Sequence, residues 1–126
     1  MTRALPPARI LCIKLKHIGD VLLMTPAIRA LRQAWPGSAI SALVPRSTIE
    51  VLAGNPDLTR ILPFDREAGM GEDWRMLQTL RREAPDLVLE MGQGDREAVL
   101  GWLSGARQRV GYEPGQSGGW RRALLT

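Results

Sequence analysis

The chain has 126 residues, 17 Lys plus Arg against 13 Asp plus Glu for a formal charge of +4, 44% apolar side chains and one cysteine. A chain of this size and balance makes one domain burying about two-thirds of its unfolded surface; disorder, a collagen-like repeat and a disulfide-stapled scaffold are excluded. No apolar run approaches the ~20 residues of a membrane-spanning helix, and Pro6, Pro7 and Arg9 interrupt any signal-peptide core, so a soluble, cytoplasmic domain is expected.

Arg9 to Leu15 is short and mostly apolar on both faces and reads as a buried parallel strand. After the turn Lys16-His17-Ile18-Gly19-Asp20, apolar residues at Val21, Met24, Ile28, Leu31 and Trp35 alternate in steps of three and four, which predicts an amphipathic helix stopped by Pro36-Gly37. Pro26 lies inside it; either the helix kinks early, or Thr25 caps a second start with Pro26 at its first position. Ala39 to Val44 reads as a second strand, and Ser47-Thr48-Ile49-Glu50 as a capping box opening a short helix that Gly54-Asn55-Pro56 ends.

Thr59 to Phe64 makes a third strand, followed by a glycine-containing loop from Asp65 to Gly71. Asp73 is expected to cap a helix carrying Trp74, Leu77 and Leu80 inward until Pro85 breaks it. Asp86 to Met91 is a fourth strand. Gly92-Gln93-Gly94-Asp95 turns into a helix with Val99, Leu100 and Leu103, closed by Gly105, and Arg109 to Tyr112 is a short fifth strand. The domain therefore spans residues 1–112. Residues 113–126 read as a Gly/Pro/Ser linker and, from Trp120 to Leu125, the start of a further element cut off.

Five strands alternating with helices imply parallel pairing by right-handed crossovers, hence an α/β sheet with helices on both faces. Ligands of such sheets bind beyond the carboxyl ends of the strands, where the strand order reverses. With the order 3-2-1-4-5, the loops after strands one and four flank that crevice. They are Lys16 to Asp20 and Gly92 to Arg96.

Asp20 follows Gly19 at the mouth of the first strand. Its simpler reading is a helix N-cap or first-turn acid, worth about 0.5 to 2 kcal/mol; its functional one is a general base, with Gly19 leaving room for a substrate hydroxyl. Lys16 and His17 beside a helix N-terminus make an anion site or a solvated turn in equal measure. Gly92-Gln93-Gly94-Asp95-Arg96 joins a flexible backbone to a forked cation, which suits a sugar or sugar phosphate but also serves as a tight turn.

His17 is the only histidine, so no histidine metal cluster forms, and Cys12 lies mid-strand as an inert core residue. Neither a Walker loop nor the Gly-x-Gly-x-x-Gly fingerprint is present. Trp35, Trp74 and Trp102 fall on apolar helix faces and read as core. Of the 17 cations, 15 are arginines, whose fork matches phosphate and carboxylate, although a solvated surface explains the charge as simply. No zinc spacing or basic heptad region points to nucleic acid, and aromatic residues are sparse.

Ile13-Lys14-Leu15-Lys16-His17-Ile18-Gly19-Asp20-Val21-Leu22-Leu23-Met24-Thr25-Pro26-Ala27-Ile28 resembles the opening strand, Gly-Asp turn and Thr-Pro helix of the ADP-heptose:lipopolysaccharide heptosyltransferases, glycosyltransferase family 9. Asp86 to Leu89 with Gly94-Asp95-Arg96, and Leu103 to Tyr112, resemble a later segment of that family, so the likeness runs over nearly the whole chain. The Lys-His before Gly-Asp, the Gly-Asp-Arg loop and the Trp-Arg-Arg-Ala-Leu-Leu-Thr tail are most similar to the branch that adds a side heptose to the inner core, heptosyltransferase III.

The resemblance implies a Rossmann-like N-terminal half of a two-domain GT-B glycosyltransferase. It implies an inverting transfer in which Asp20 takes the proton of the acceptor hydroxyl. The acceptor, the lipopolysaccharide inner core, would be held by Lys16, His17, Gly19, Gly94, Asp95 and Arg96, with no metal. ADP-heptose would belong to a C-terminal domain that the 126 residues do not include, so the isolated chain is expected to be inactive. The enzyme would be cytoplasmic, touching the inner membrane only transiently, with no nucleic-acid partner. Competing expectations are a non-catalytic sugar- or anion-binding domain of the same fold, a relative with a different acceptor, and a receiver-type domain with Asp65 as phosphoacceptor.

Overall fold

The structure, a computed structural model, describes residues 7–15, 18–65, 69–91 and 95–111; for residues 18, 20, 70 and 95–98 only the backbone is described. Five parallel strands, β1 (Arg9–Ile13), β2 (Ala39–Pro45), β3 (Arg60–Phe64), β4 (Leu87–Glu90) and β5 (Gln108–Gly111), form one sheet in the order β3-β2-β1-β4-β5. The expected strand order and α/β architecture are met. The helices are α1 (Ile18–Leu23), α2 (Thr25–Ala34), α3 (Ile49–Leu52), α4 (Met70–Glu83) and α5 (Asp95–Leu103), with a 3₁₀ turn at Arg46–Thr48 before α3.

Alternate residues of the strands divide between two cores. Leu11, Ile13, Leu43, Leu62, Phe64 and Val88 face Met76 and Leu80 of α4 and Leu100 of α5. Ile10, Cys12, Ile40, Ala42, Val44 and Leu87 face Val21 of α1, Met24, Ile28 of α2 and Leu52 of α3. Both faces are covered, which is why β1 and β2 read as unbroken apolar runs rather than as alternating ones. Each fully buried Leu, Ile or Phe contributes about 1.5 to 3 kcal/mol of transfer free energy, so the central strands dominate the apolar stabilisation.

The amino edge of the sheet is tied by polar groups. Asp86 Oδ2 accepts from the N–H groups of Ala8 (2.9 Å) and Arg9 (3.0 Å), holding the start of β1 beside β4. Arg32 donates to the carbonyls of Asp57 (Nε 3.2 Å, Nη2 2.9 Å), Pro36 (2.9 Å) and Ser38 (2.6 Å), and Arg29 pairs with the Asp57 carboxylate at 3.1 Å. One guanidinium thus joins the end of α2 to the segments entering β2 and β3.

Three expected caps are corrected. The second helix start near Pro26 is met, but Met24 rather than Thr25 is the N-cap of α2, Pro26 fits its first turn, and the Thr25 hydroxyl donates to the Leu22 carbonyl at 2.9 Å. No capping box forms at Ser47. Residues 46–48 wind as 3₁₀ helix, Thr48 is the N-cap of α3, and its hydroxyl donates to the Pro45 carbonyl at 2.8 Å. Asp73 does not cap α4, because the helix begins at Met70 after Gly69, whose φ of +81° suits glycine, and Asp73 lies in its first turn.

The buried face of the helix also differs from the expected one. Met76 and Leu80 turn inward, and Trp74, two positions from Met76 and so about 200° away, is 64% exposed. On α5, Trp102 is 49% exposed for a similar reason: Leu100 takes the buried position. Trp35 does pack against the core of the α1–α3 face. Met76→Ala is expected to cost about 2 to 5 kcal/mol and Trp74→Ala less than about 0.5 kcal/mol, measured by urea unfolding; the reverse ranking would contradict this phase of α4.

Candidate functional site

The carboxyl ends of β1 and β4 lie side by side, with Ile13 in register with Glu90 and the Met91 N–H donating to the Ile13 carbonyl at 2.9 Å. On the other flank the Lys14 N–H donates to Leu43 at 3.0 Å. β1 and β4 are therefore neighbouring strands, about 4.8 Å apart, at the point where the strand order reverses.

Gly19 and Asp20 are the second and third residues of α1. Asp20 is accordingly the first-turn acid of the two expected positions, because α1 starts at Ile18. Its position is favourable for a carboxylate, since the first-turn amides carry the positive end of the helix dipole. Gly19 is exposed, and among the described residues a Cβ there would meet nothing within 4 Å. Asp95 and Arg96 are the first two residues of α5, at the same edge. Lys16, His17 and Gly94 lie outside the described residues, as do Tyr112 and the segment 113–126. Among the described residues no cluster of His, Cys, Asp and Glu is placed to hold a metal ion.

Sequence reasoning missed one carboxylate of this edge. Glu90 ends β4 and is only 3% exposed. It shares the face of Val88, under α5, where Gly101 approaches so closely that a Cβ at that position would stand 2.6 Å from Glu90 Oε2 and 3.3 Å from Val88 Cγ1. A glycine inside a helix costs about 1 kcal/mol relative to alanine, so Gly101 exchanges helix propensity for space beside a buried carboxylate. The signal was present as a Glu closing the apolar run Leu87-Val88-Leu89, with a glycine eleven residues later in a helix.

Cys12 behaves as expected. It is wholly buried in β1, and burial pushes its thiol from an ordinary 9.0 up to about 12. The receiver-type expectation fails on topology. Asp65 follows β3, an edge strand separated from β1 by β2, and the strand order is not the 2-1-3-4-5 of flavodoxin-like domains.

No protein-family model matches the chain. Lipopolysaccharide heptosyltransferase 3 of Escherichia coli is 27% identical over 113 residues, which cover 84% of this chain and 33% of that protein. The crystal structure of the glycosyl transferase family 9 protein from Veillonella parvula superposes with a TM-score of 0.78 and 27% identity, over 94% of this chain and 34% of that one. Over most of its length the chain is similar to heptosyltransferases of glycosyltransferase family 9. The E. coli heptosyltransferase WaaC with ADP shares the fold, with a TM-score of 0.78 at 20% identity over 94% of this chain and 40% of its own. That protein is described with ADP, and what this chain shares with it is the five-stranded parallel α/β sheet. The chain spans about a third of the length of the curated relatives it matches.

Two measurements check the packing of this edge. Gly101→Ala is expected to lower stability by about 1 to 3 kcal/mol despite the better helix former, and Glu90→Ala in the same chain to recover part of the loss, a coupling read from urea midpoints; additive single effects would contradict the contact. For Cys12, the unfolded thiol ionises above about pH 9 while the folded one keeps its proton to about pH 12. The unfolded state then binds fewer protons, and stability falls through that window by up to about 1.4 kcal/mol per pH unit. Cys12→Ala should remove this part of the slope in unfolding curves taken from pH 8 to 11.

Proposed function

We propose that this chain is the acceptor-binding half of an inverting glycosyltransferase that moves heptose from ADP-heptose to the inner core of lipopolysaccharide, with Asp20 as the base. The observation that carries the reading is the position of Gly19-Asp20, in the first turn of α1 at the carboxyl edge where β1 and β4 pair. The names of the curated relatives, lipopolysaccharide heptosyltransferases, support the substrate class.

In the proposed step the Asp20 carboxylate accepts the proton of an acceptor hydroxyl while that oxygen bonds to the anomeric carbon of the donor. The bond from this carbon to the ADP oxygen breaks on the opposite face, so ADP departs and the configuration inverts. Open space at Gly19 lets the sugar approach the carboxylate. Lys16, His17 and Arg96 supply cations for the phosphates and acidic sugars of the acceptor, with the backbone at Gly94 and Asp95 shaping the loop. The side-heptose branch, heptosyltransferase III, is favoured over the branches that build the heptose backbone because the curated E. coli relatives carry the name heptosyltransferase 3. An acceptor swap in the transfer assay separates the two.

ADP-heptose is assigned to a donor-binding half of the kind found in proteins of the relatives' length, and the 126 residues by themselves are read as holding acceptor without turnover. The work is proposed to take place at the cytoplasmic surface of the inner membrane; among the described residues no helix is long and apolar enough to cross one. No nucleic-acid partner is part of this reading.

Asp20→Asn tests the assignment in a polypeptide that includes the donor-binding half. Losing the first-turn charge costs about 0.3 to 1 kcal/mol of stability. Loss of the base lowers turnover by about 10²-fold or more, with acceptor affinity nearly unchanged. Turnover within about threefold of the parent, together with loss of activity in Lys16→Ala and Arg96→Ala, would move the base to Asp95.

A further inference from the structure

At the amino ends of the strands, on the face covered by α4, lies a cavity of about 300 Å³ that includes Arg9, Leu11, Ser41, Arg60, Arg82 and Glu83 in its wall. Leu11, Ser41 and Arg60 stand in register across β1, β2 and β3 and so project from the same face, and Arg9, two residues before Leu11, joins them. The last turn of α4 brings Arg82 and Glu83 over this row. Ser41 is 8% exposed at a strand position flanked by Leu11 and Leu43, where an apolar side chain would complete the core.

The charges are unequal. Glu83 accepts from Arg60 Nη1 at 2.7 Å through its carboxylate and from Arg9 Nη1 at 2.9 Å through its backbone carbonyl, so one residue gathers two guanidiniums at the rim. With Arg82, three cations meet one carboxylate, a formal excess of two positive charges. Each guanidinium has five N–H donors, and the bonds to Glu83 occupy one of Arg60's and one of Arg9's. The volume is at the low end for ligand sites, suited to a small ion rather than a nucleotide. Since β1 alone spans about 16 Å, this cavity is separate from the crevice at the carboxyl edge.

We propose that this cavity is a second anion site that takes a small phosphate-class dianion, either inorganic phosphate or a soluble phosphomonoester. A phosphomonoester carries about −1.5 to −2 charges near pH 7, matching the excess, and its oxygens accept forked guanidinium donors at the rim and the Ser41 hydroxyl at the floor. Occupancy ties the end of α4 to the starts of β1 and β3.

The test is calorimetric titration and thermal unfolding of the 126-residue chain with inorganic phosphate and, separately, glycerol 3-phosphate, at pH 7.5 and constant ionic strength set with NaCl. Saturable one-to-one heat and a Tm rise of about 2 °C or more support the site, and the tighter of the two ligands names its source. Arg82→Ala, an exposed position that leaves the Arg60–Glu83 pair in place, is expected to weaken binding at least tenfold, and Ser41→Ala to weaken it by a smaller factor in case the first variant does not fold. No saturation by 20 mM, an equal Tm rise with chloride alone, or unchanged affinity in both variants would overturn the proposal. So would binding to phosphatidylglycerol vesicles that depends on Arg82 without any response to the soluble ions, which would make the face a membrane contact.

Discussion

Everything in this domain depends on β1 being hydrogen-bonded on both sides, to β2 along Arg9 to Ile13 and to β4 along Ile10 to Ile13. A strand with two parallel neighbours cannot shift register by one residue without turning Leu11 and Ile13 into the opposite core and Ile10 and Cys12 into theirs. The constraint also decides where chemistry can occur. β2 leads away to one side and β4 to the other, so the chain reverses its direction of winding at β1, and the helix starts after β1 and β4 face each other across the gap that this leaves. Asp20, Asp95 and Arg96 share an edge because of that pairing and not because of nearness in sequence.

The elements and their order were legible from period and punctuation, since parallel strands covered on both faces leave short unbroken apolar runs such as Ile10 to Ile13, and Gly and Pro mark their ends. Phase was less legible than existence. Trp74 reads as inward from its spacing with Leu77 and Leu80, whereas Met76 and Leu80 are the residues that the core takes. Sequence alone does not choose between an acid at the cap and an acid in the first turn. The same ambiguity placed Ser47 in a capping box that the 3₁₀ turn forecloses, and left Asp20 between cap and first turn. Of the candidate site, the Gly19-Asp20 corner and the start of α5 were visible as motifs. Glu90 was not, because a carboxylate at the end of a strand looks solvated until the helix that covers it is in place.

Two of the acidic residues at the carboxyl edge differ in their settings. Asp20 lies in the first turn of α1, next to a glycine whose added Cβ would meet nothing within 4 Å among the described residues, whereas Glu90 is enclosed beneath α5 with Gly101 close against it. A group that must exchange a proton with a substrate needs access, and a group that fixes a helix on a sheet needs enclosure. The heptosyltransferase reading uses the first kind for chemistry and leaves the second to hold α5, and with it the Asp95-Arg96 corner, at a set height above the strands.

Arg32 gives the molecule a division of labour between its two edges. By binding the carbonyls of Pro36, Ser38 and Asp57 together it fastens the entrances of β2 and β3 to α2, as Asp86 fastens β1 beside β4. Strand entry is thereby determined without help from the loops at the far edge. Insertions, deletions or exchanges in those far loops then alter the surface at that edge while the sheet beneath keeps its alignment, so the domain is a chassis whose binding face can drift from one lineage to the next at little expense in foldability.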